Sequence, residues 1–461
     1  MALRTALQRA AAHSSADRGL LRLVAPPHAA FNEAPLSVAR TPTGYASTFD
    51  WSLPSEFDGA TAYYVDVANG SDSNAGTSPA APLKGIKTAI HKPDSGIIYI
   101  RPTGVYHRAS GDGLQNLLAD VTWPNRPLAL IGWGGVVDIW NTNPGQAYSW
   151  ASQGSGVYSA TVSNVYGVLD ASQADTVVPT LPFPLTPRAD LATLQAAAEG
   201  FFISGSTVYV KRTGGGAVND QNIHMLRIQT MTQPGGPVLY LQNLRWIGRG
   251  NGFQHISFAY QPTGKCIVDN CTFAFTDPNG QNNGFAVDNI GLVAVRGSQS
   301  HYCTKDNFNY HADTDQFAGR RPVVLEENCS AKVNSWRRPA AEADGSNQAT
   351  TIHDGMIGVR INGTYGPTYG GACVEEAGVD RGAGKCYSWL VGCTLDATGS
   401  PGPNKNWPVY VGAATDMWLL DCAMTGGQGP FRGTGTPGLE GYVWARGGAW
   451  SGTPGLNAAA Y

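Results

Sequence analysis

A short motif recurs along the second half of the chain at intervals of about thirty residues. In each copy Asn, Gly or Asp precedes a small or apolar residue, and the copies are Asn243-Leu244, Asn270-Cys271, Gly297-Ser298, Asn328-Cys329, Asn362-Gly363, Gly392-Cys393 and Asp421-Cys422. The steps between them are 27, 27, 31, 34, 30 and 29 residues. A drifting period of this length, with no helical pattern between the copies, predicts a solenoid whose coils carry loops of different size.

Two columns of side chains follow from this spacing. An Asn at the same corner of successive coils can bond its amide to the next Asn about 4.8 Å away, and it tolerates the left-handed backbone of a corner. Chance recurrence of common turn dipeptides is the alternative. A second column in the same register argues against chance, because the residue three positions on is mostly apolar: Trp246, Phe273, Ser300, Ala331, Tyr365, Leu395 and Met424. We expect this column inside the solenoid.

The composition agrees with a β solenoid and argues against nucleic-acid and membrane partners. The 461 residues include 58 Gly and 29 Pro, and only 14% are charged. The net charge of −3 is spread without basic runs, so the sequence predicts no nucleic-acid partner and no anionic membrane partner. No segment is long and apolar enough for membrane insertion.

Eight cysteines lie at positions that favour free thiols. Cys271, Cys329, Cys393 and Cys422 share the motif register and would stack as small buried groups, and no C-x-x-C pair is present. Free thiols indicate folding in a reducing cytoplasm, and no metal site of the zinc type is expected. Polar residues interrupt every apolar run between Met1 and Val24, so no secretory signal is predicted there.

The acidic loop Asn69–Gly76 leaves one cofactor question open. Its Asp and Asn residues are calcium ligands in other loops, but Asx turns need the same residues, and the full calcium-loop spacing is absent. We therefore expect no cofactor, with calcium at this loop as the alternative.

Two parts of the sequence resemble a known superfamily. The runs Tyr63–Asp66, Asn69–Asn74, Pro82–Lys84, Ile98–Ile100 and Gly104–Tyr106 resemble the opening of right-handed parallel β-helix proteins of the pectate-lyase-like superfamily. The resemblance covers most of Tyr63 to Gly426 and implies an all-β fold. The superfamily includes polysaccharide lyases, glycoside hydrolases, epimerases, adhesins and bacteriophage tailspikes, so it says little about chemistry.

The runs Asn307–His311, Asn347–Gly355 and Arg360–Gly366 look similar to β-helix proteins of phages and prophages. That resemblance implies a tailspike or tail fibre: a virion protein folded in the host cytoplasm and released without a signal peptide. It implies a homotrimer, attached to phage tail or baseplate proteins through its N-terminal arm, that binds host-surface polysaccharide with or without cleaving it. The alternatives are a cellular polysaccharide lyase or glycoside hydrolase, and a non-catalytic structural virion protein or adhesin.

The sequence divides into five expected parts. Composition and pattern predict an N-terminal arm and linker at 1–55, β-helix opening coils at 56–139, and an inserted β-rich subdomain at 140–225. The main right-handed parallel β-helix follows at 226–426, with a Gly-rich closing segment at 427–461. Residues up to about Arg40 are expected to be dispensable for folding.

A candidate catalytic column follows from counting back eight or nine residues from successive motifs. The count gives Asp288, Arg320, His353 and Asp354. Backbones of Asp288 and Asp354, two coils apart, would be about 10 Å apart, which brings their carboxyl groups near the roughly 6.5–9.5 Å range of inverting glycosidases. His353 would relay a proton. A lyase would instead use Arg320 or His353 as base, and a third possibility is a simple turn at His353–Gly355.

Aromatic residues in loops rich in Gly, Pro or Asn supply candidate sugar-binding rings. Exposed rings stack on sugars because they bury apolar surface at low entropic cost. The candidates are Trp336, Tyr365, Tyr369, Trp407 and Tyr410. Rival acid pairs are Glu326–Glu327, Glu375–Glu376 and Asp313–Asp315.

Overall fold

The chain forms a parallel β-solenoid of about 10 turns, with 50% of residues in strands and 6% in helices. The predicted parallel β-helix is therefore confirmed. This computed structural model describes residues 21–22, 26, 28–32, 35–107, 125–142, 148–227, 236–249, 256–277, 282–312, 321–334, 336, 347–368, 372–377, 384–399, 407–412, 414–433, 441–450 and 458–460.

Each regular coil has three faces, which the chain visits in a fixed order. The first face precedes the corner motif, the second face follows it, and the third face completes the coil. The first face consists of Thr61–Val65, Ser95–Ile100, Leu128–Gly132, Val238–Gln242, the ends of Ile256–Asp269 and Phe285–Arg296, Val323–Glu327, Ile357–Ile361, Cys386–Val391, Thr415–Leu420, Gly441–Arg446 and Ala458–Ala460.

The strands of the other two faces also pair in parallel from coil to coil. The second face consists of Tyr106–His107, Val137–Trp140, Leu244–Arg249, Thr272–Thr276, Gln299–His301, Ser330–Lys332, Thr364–Tyr365, Thr394–Ala397 and Ala423–Gly426. The third face consists of the beginnings of Ile256–Asp269 and Phe285–Arg296, then Phe308–His311, Thr350–His353, Val374–Ala377, Val409–Val411 and Phe431–Gly433. Solenoid strands therefore continue past Gly426, into the segment expected only to close the end.

The corners confirm the predicted register. All seven motif residues have a left-handed backbone, with φ between 51° at Asp421 and 64° at Gly392. The Asn270 side chain donates to Asn243 Oδ1 at 2.7 Å, and Asn362 donates to Asn328 Oδ1 at 3.2 Å. The amide ladder forms because neighbouring coils repeat at the interstrand distance.

The interior is apolar and includes the predicted column. Trp246, Phe273, Ser300, Ala331, Tyr365, Leu395 and Met424 pair in sequence from coil to coil and are all buried. All eight cysteines are buried free thiols. Burial raises the pKa of Cys271 to about 12, so this thiol stays protonated and behaves as a small apolar group. The helix Ile86–Ile90 places Ile86, Ala89 and Ile90 in the same cluster at the opening coils.

Residues 151–227 interrupt the coils with two antiparallel sheets. One consists of Ala151–Ser152, Val157–Thr161, Gly200–Ser204 and Thr207–Lys211, and the other of Val165–Ala174, Pro182–Pro184 and Ile223–Arg227. The expected brief helix is present at Leu191–Ala196, where Asp190 accepts a hydrogen bond from the Thr193 amide. The insertion has its own apolar cluster and contacts the solenoid, since Tyr166 donates to the Phe275 carbonyl at 2.7 Å. The exact domain boundaries stay predictions.

Residues His28–Phe57 form a strap along the outside of the first face. The strap contains a short 3-10 helix, Ala29–Asn32, strands Val38–Thr41 and Gly44–Ser47 beside Leu21–Arg22, and a second 3-10 turn, Ser55–Phe57. Phe31, Leu36 and Val38 are each 1% exposed and join an apolar cluster with first-face side chains. The described residues of this part of the expected arm and linker therefore pack against the solenoid. The apolar outer surface of the first face needs this cover.

Candidate functional site

Alternation along the third face brings a group of polar residues to its outer side. Inward residues such as Phe308 and Tyr310 join the core, so the residues between and after them point outward. Asp288 pairs directly with His311, and the next strand pairs Tyr310 with Ile352, which sets His353 beside His311. Asp288 and His353 therefore lie in one column two coils apart, where the sequence predicted them.

His311 and Asp354 form the central contact of this group. His311 Nδ1 lies 3.0 Å from Asp354 Oδ2, and the two residues are 5% and 0% exposed. An ionised carboxylate can only accept, so Nδ1 carries the proton and Nε2 is the nitrogen that can exchange a proton with a substrate. Asp354 has φ 61° and Gly355 φ 75°, a tight turn that directs the Asp354 side chain back to the preceding coil.

The two imidazoles of the column stack. The His311 and His353 ring centroids are 4.3 Å apart with an interplanar angle of 3°, and His353 Nε2 lies 2.9 Å from Thr351 Oγ1. Together with Asp288 and Asp354, the stack forms a proton-transfer group on the solenoid surface.

The structure adds a residue, His311, to the predicted catalytic column of Asp288, Arg320, His353 and Asp354. Arg320 lies outside the described residues, and the residue in register between Asp288 and His353 is His311. Counting back eight or nine residues from Asn328 missed His311 because His311 lies 17 residues before Asn328. The alternation Phe308-Asn309-Tyr310-His311 is the sequence signal that identifies it.

The structure places the candidate sugar-binding residues in different parts of the solenoid. Tyr365 is 0% exposed inside the solenoid and donates to Glu326, so its predicted surface role is wrong; the interior column already placed it there. Trp336 is half-buried away from the third face, with its ring centroid 5.3 Å from that of Phe275. Tyr369 lies outside the described residues. Tyr410 is on the outer row of the third face, and Trp407 lies just before that strand.

The rival acids serve other purposes or lie outside the described residues. Glu326 and Glu376 are inside the solenoid around Arg360, whose Nη1 lies 2.5 Å from Glu376. Burial raises the pKa of Glu376, and Arg360 opposes that shift. Glu327 accepts from Ser47 of the strap. Glu375 follows Thr351 in the outer row, and Asp313–Asp315 lie outside the described residues.

The acidic loop near the opening coils makes hydrogen bonds to its own backbone. Asp66 Oδ1 accepts from the Ala68 and Asn69 amides at 3.1 and 2.9 Å, and Asp72 Oδ1 accepts from Lys84 and Gly85 at 3.1 and 2.9 Å. The Asp66 contacts are of the Asx type that the sequence left open against calcium, whereas Asp72 joins the loop to the residues before the helix Ile86–Ile90. Among the described residues no cluster of three or more His, Cys, Asp or Glu could hold a metal ion.

No helix in the described part of the chain is long and apolar enough to cross a bilayer.

Comparison with known proteins gives similarity in fold only. No family model matches the sequence, and no curated protein matches it. A solved complex of XylC with xylose has a TM-score of 0.46 and 10% identity, covering 84% of this chain and 69% of that one. A glycoside hydrolase has a TM-score of 0.42 and 9% identity, covering 87% and 97%. The tailspike protein gp49 from Pseudomonas phage LKA1 has a TM-score of 0.23 and 12% identity, covering 81% and 70%. These low values carry no argument about function, which depends on the site itself.

Proposed function

We propose that this chain binds polysaccharide along its third face and hydrolyses it there. The observation that carries the proposal is the buried His311–Asp354 pair beside Asp288, on the outer side of a parallel sheet. A solenoid core needs only its inward residues, so these ionisable outward groups are not required for the core. A sheet that repeats every 4.8 Å or so also offers an extended surface suited to a polymer.

Three residues of the group have distinct roles in the proposed reaction. Asp354 holds the His311 ring in one tautomer and stabilises the imidazolium, so it is a positioning residue. His311 Nε2 takes a proton from the attacking water, while the Asp288 carboxylic acid protonates the departing glycosidic oxygen. The sequence predicts instead that the Asp354 carboxyl group itself acts as acid or base. In this proposal it does not, because that carboxylate is 0% exposed and accepts a hydrogen bond from His311.

The test is loss of cleavage without loss of fold. Asp354→Asn and His311→Gln should each reduce the release of reducing ends by about 100-fold or more, because general acid–base catalysis contributes about that much. Asp396→Asn on the second face is the matched control and should leave the rate unchanged. Melting temperatures and glycan affinity should stay close to wild type. Undiminished cleavage by Asp354→Asn and His311→Gln would place the site elsewhere.

Product analysis separates this reaction from its alternatives. Hydrolysis gives a saturated product, whereas elimination by a lyase gives an unsaturated sugar that absorbs ultraviolet light. Wild-type protein that binds glycan but releases no oligosaccharide would make the chain an adhesin.

We further propose that the glycan lies on a bacterial surface and that the chain is a phage tailspike. The support is the resemblance of the runs Asn347–Gly355 and Arg360–Gly366 to phage and prophage proteins. Detection of the protein in purified virions, and its absence from the host's own secreted enzymes, is the expected result. A protein found only among secreted host enzymes would contradict it.

A further inference from the structure

We propose that the third face carries an anion-binding subsite at Arg432 and that the polysaccharide is carboxylated. This inference rests on the proposed function, since it names the substrate class of the same surface. It is independent of whether the bound chain is cleaved.

The register places Arg432 on the row that leads away from the catalytic group. Thr351 pairs with Glu375, Glu375 with Tyr410, and Tyr410 with Arg432. Three steps at the interstrand spacing place Arg432 about 14 Å from Thr351 along the solenoid axis. Thr351 contacts His353, so one extended glycan can reach both ends of the row.

Arg432 is a cation with an unmet hydrogen-bonding requirement. Its Nε is buried and has no hydrogen-bond acceptor, and no carboxylate of the described residues forms an ion pair with it. Its guanidinium instead lies 6.0 Å from the centre of the Trp407 ring. A buried donor of a charged group is costly to leave unpaired, so the arrangement is that of a site completed by an external anion.

The residues around Arg432 match a sugar better than a free ion. Trp407 is 7% exposed and lies against the Arg432 guanidinium, so the aromatic ring placed to stack on a sugar is half-buried Tyr410, one coil before Arg432. Aromatic surface stacks on a sugar ring, and a guanidinium fork binds a carboxylate through two parallel hydrogen bonds. In the backbone register, Glu375 is the acidic residue of this row and lies two coils before Arg432.

The test compares glycans that differ in charge. An array of bacterial and plant oligosaccharides is probed with full-length wild-type protein, with Arg432→Gln, with Arg432→Lys, and with Arg227→Gln on the inserted unit as control. Carboxylated members should dominate binding by wild type. Calorimetry with the best of these should show affinity reduced about tenfold or more in Arg432→Gln, less in Arg432→Lys, and not at all in Arg227→Gln.

Each outcome decides a different point. Binding dominated by neutral glycans, or by sulfated glycans over carboxylated ones, overturns the carboxylated substrate. Carboxylated ligands whose affinity survives Arg432→Gln in a protein of unchanged melting temperature overturn the subsite. Carboxylated ligands that need Arg432 but are never cleaved uphold the subsite and refute hydrolysis. Failure to bind any glycan refutes both.

Discussion

At the scale of single residues, the corners and the columns beside them are where side-chain identity matters most. The left-handed backbone at Asn243, Asn270, Asn328 and Asn362 suits Asn, whose amide then pairs with the next coil. Directly after the corner comes a position that must be small or apolar, and uncharged, because it points into the core. Cys329, 1% exposed, occupies it in the coil that also holds His311.

Replacing Cys329 by Asp should destabilise the protein by several kcal/mol, because a carboxylate there is buried without a partner. Cys329→Ala keeps the position apolar and should cost about 1 kcal/mol. Urea unfolding of both variants measures the difference. An aspartate variant as stable as the alanine variant would show that this position is not interior.

Single residues also show how much of the candidate site could be predicted from the sequence. Asp288, His353 and Asp354 were found because the corner motif fixes the register of residues eight or nine positions before it. His311 could not be predicted in this way, because the number of residues between it and the next corner, Asn328, is larger than in the other coils and the period does not fix it. Contacts such as His311 to Asp354, 43 residues apart, depend on where loops leave the coil.

At the scale of elements, the strap is the part that the sequence described least well. Its Pro and Ser residues indicate a linker, and its apolar residues follow neither a helical nor a strand period. They are explained only by the surface they cover, since Phe31 contacts Trp389 and Trp418 at ring distances of 5.9 and 6.0 Å. The coils, in contrast, were predictable because each repeats the same local rule.

Phe31→Ala should lower the free energy of unfolding by about 3 kcal/mol, the usual cost of truncating a buried Phe. Phe202→Ala, in a half-buried ring of the inserted sheet, is the control and should cost less. Thermal melts of both variants measure this. A smaller loss for Phe31→Ala than for Phe202→Ala would mean that the strap contributes little to stability.

At the scale of the whole molecule, the inserted unit and the solenoid meet at two histidines, of which His224 is buried and His107 is half-buried. His224 of the insertion and His107 of the second face have ring centroids 6.1 Å apart, with Trp140 4.8 Å from His224. Burial lowers the pKa of His107 to about 3 and that of His224 to about 4. Asp170 and Asp220 oppose the shift at His224.

Stability should therefore fall in acid. The unfolded chain binds protons at these residues below pH about 6.5, whereas the folded protein does not until pH 4 to 3. The stabilisation is thus complete above pH 6.5 and lost progressively as the pH falls, by about 2.7 kcal/mol per unit from both residues. Urea unfolding at pH 7 and pH 5 measures the slope. Burial also lowers the pKa of His301 to about 3, so the double variant His107→Gln, His224→Gln should lose only its own part of the slope, and His91→Gln, at an exposed position, should keep all of it.

The homotrimer implied by the phage resemblance stays a prediction at this scale. Light scattering at micromolar concentration should give a mass of three chains. A monomer at that concentration would count against a tailspike and leave the proposed glycan chemistry unaffected, because the described site residues come from one chain.

The strap also fixes an order of events during synthesis. Tyr45 donates to Asp421, a contact that spans 376 residues, so the strap leaves the ribosome long before most of the surface on which it rests. Until the late coils exist, Phe31 has no Trp389 or Trp418 to cover and its apolar side chains remain in water. Docking of the strap is therefore expected among the last steps of folding, and it joins the beginning of the chain to coils made near its end.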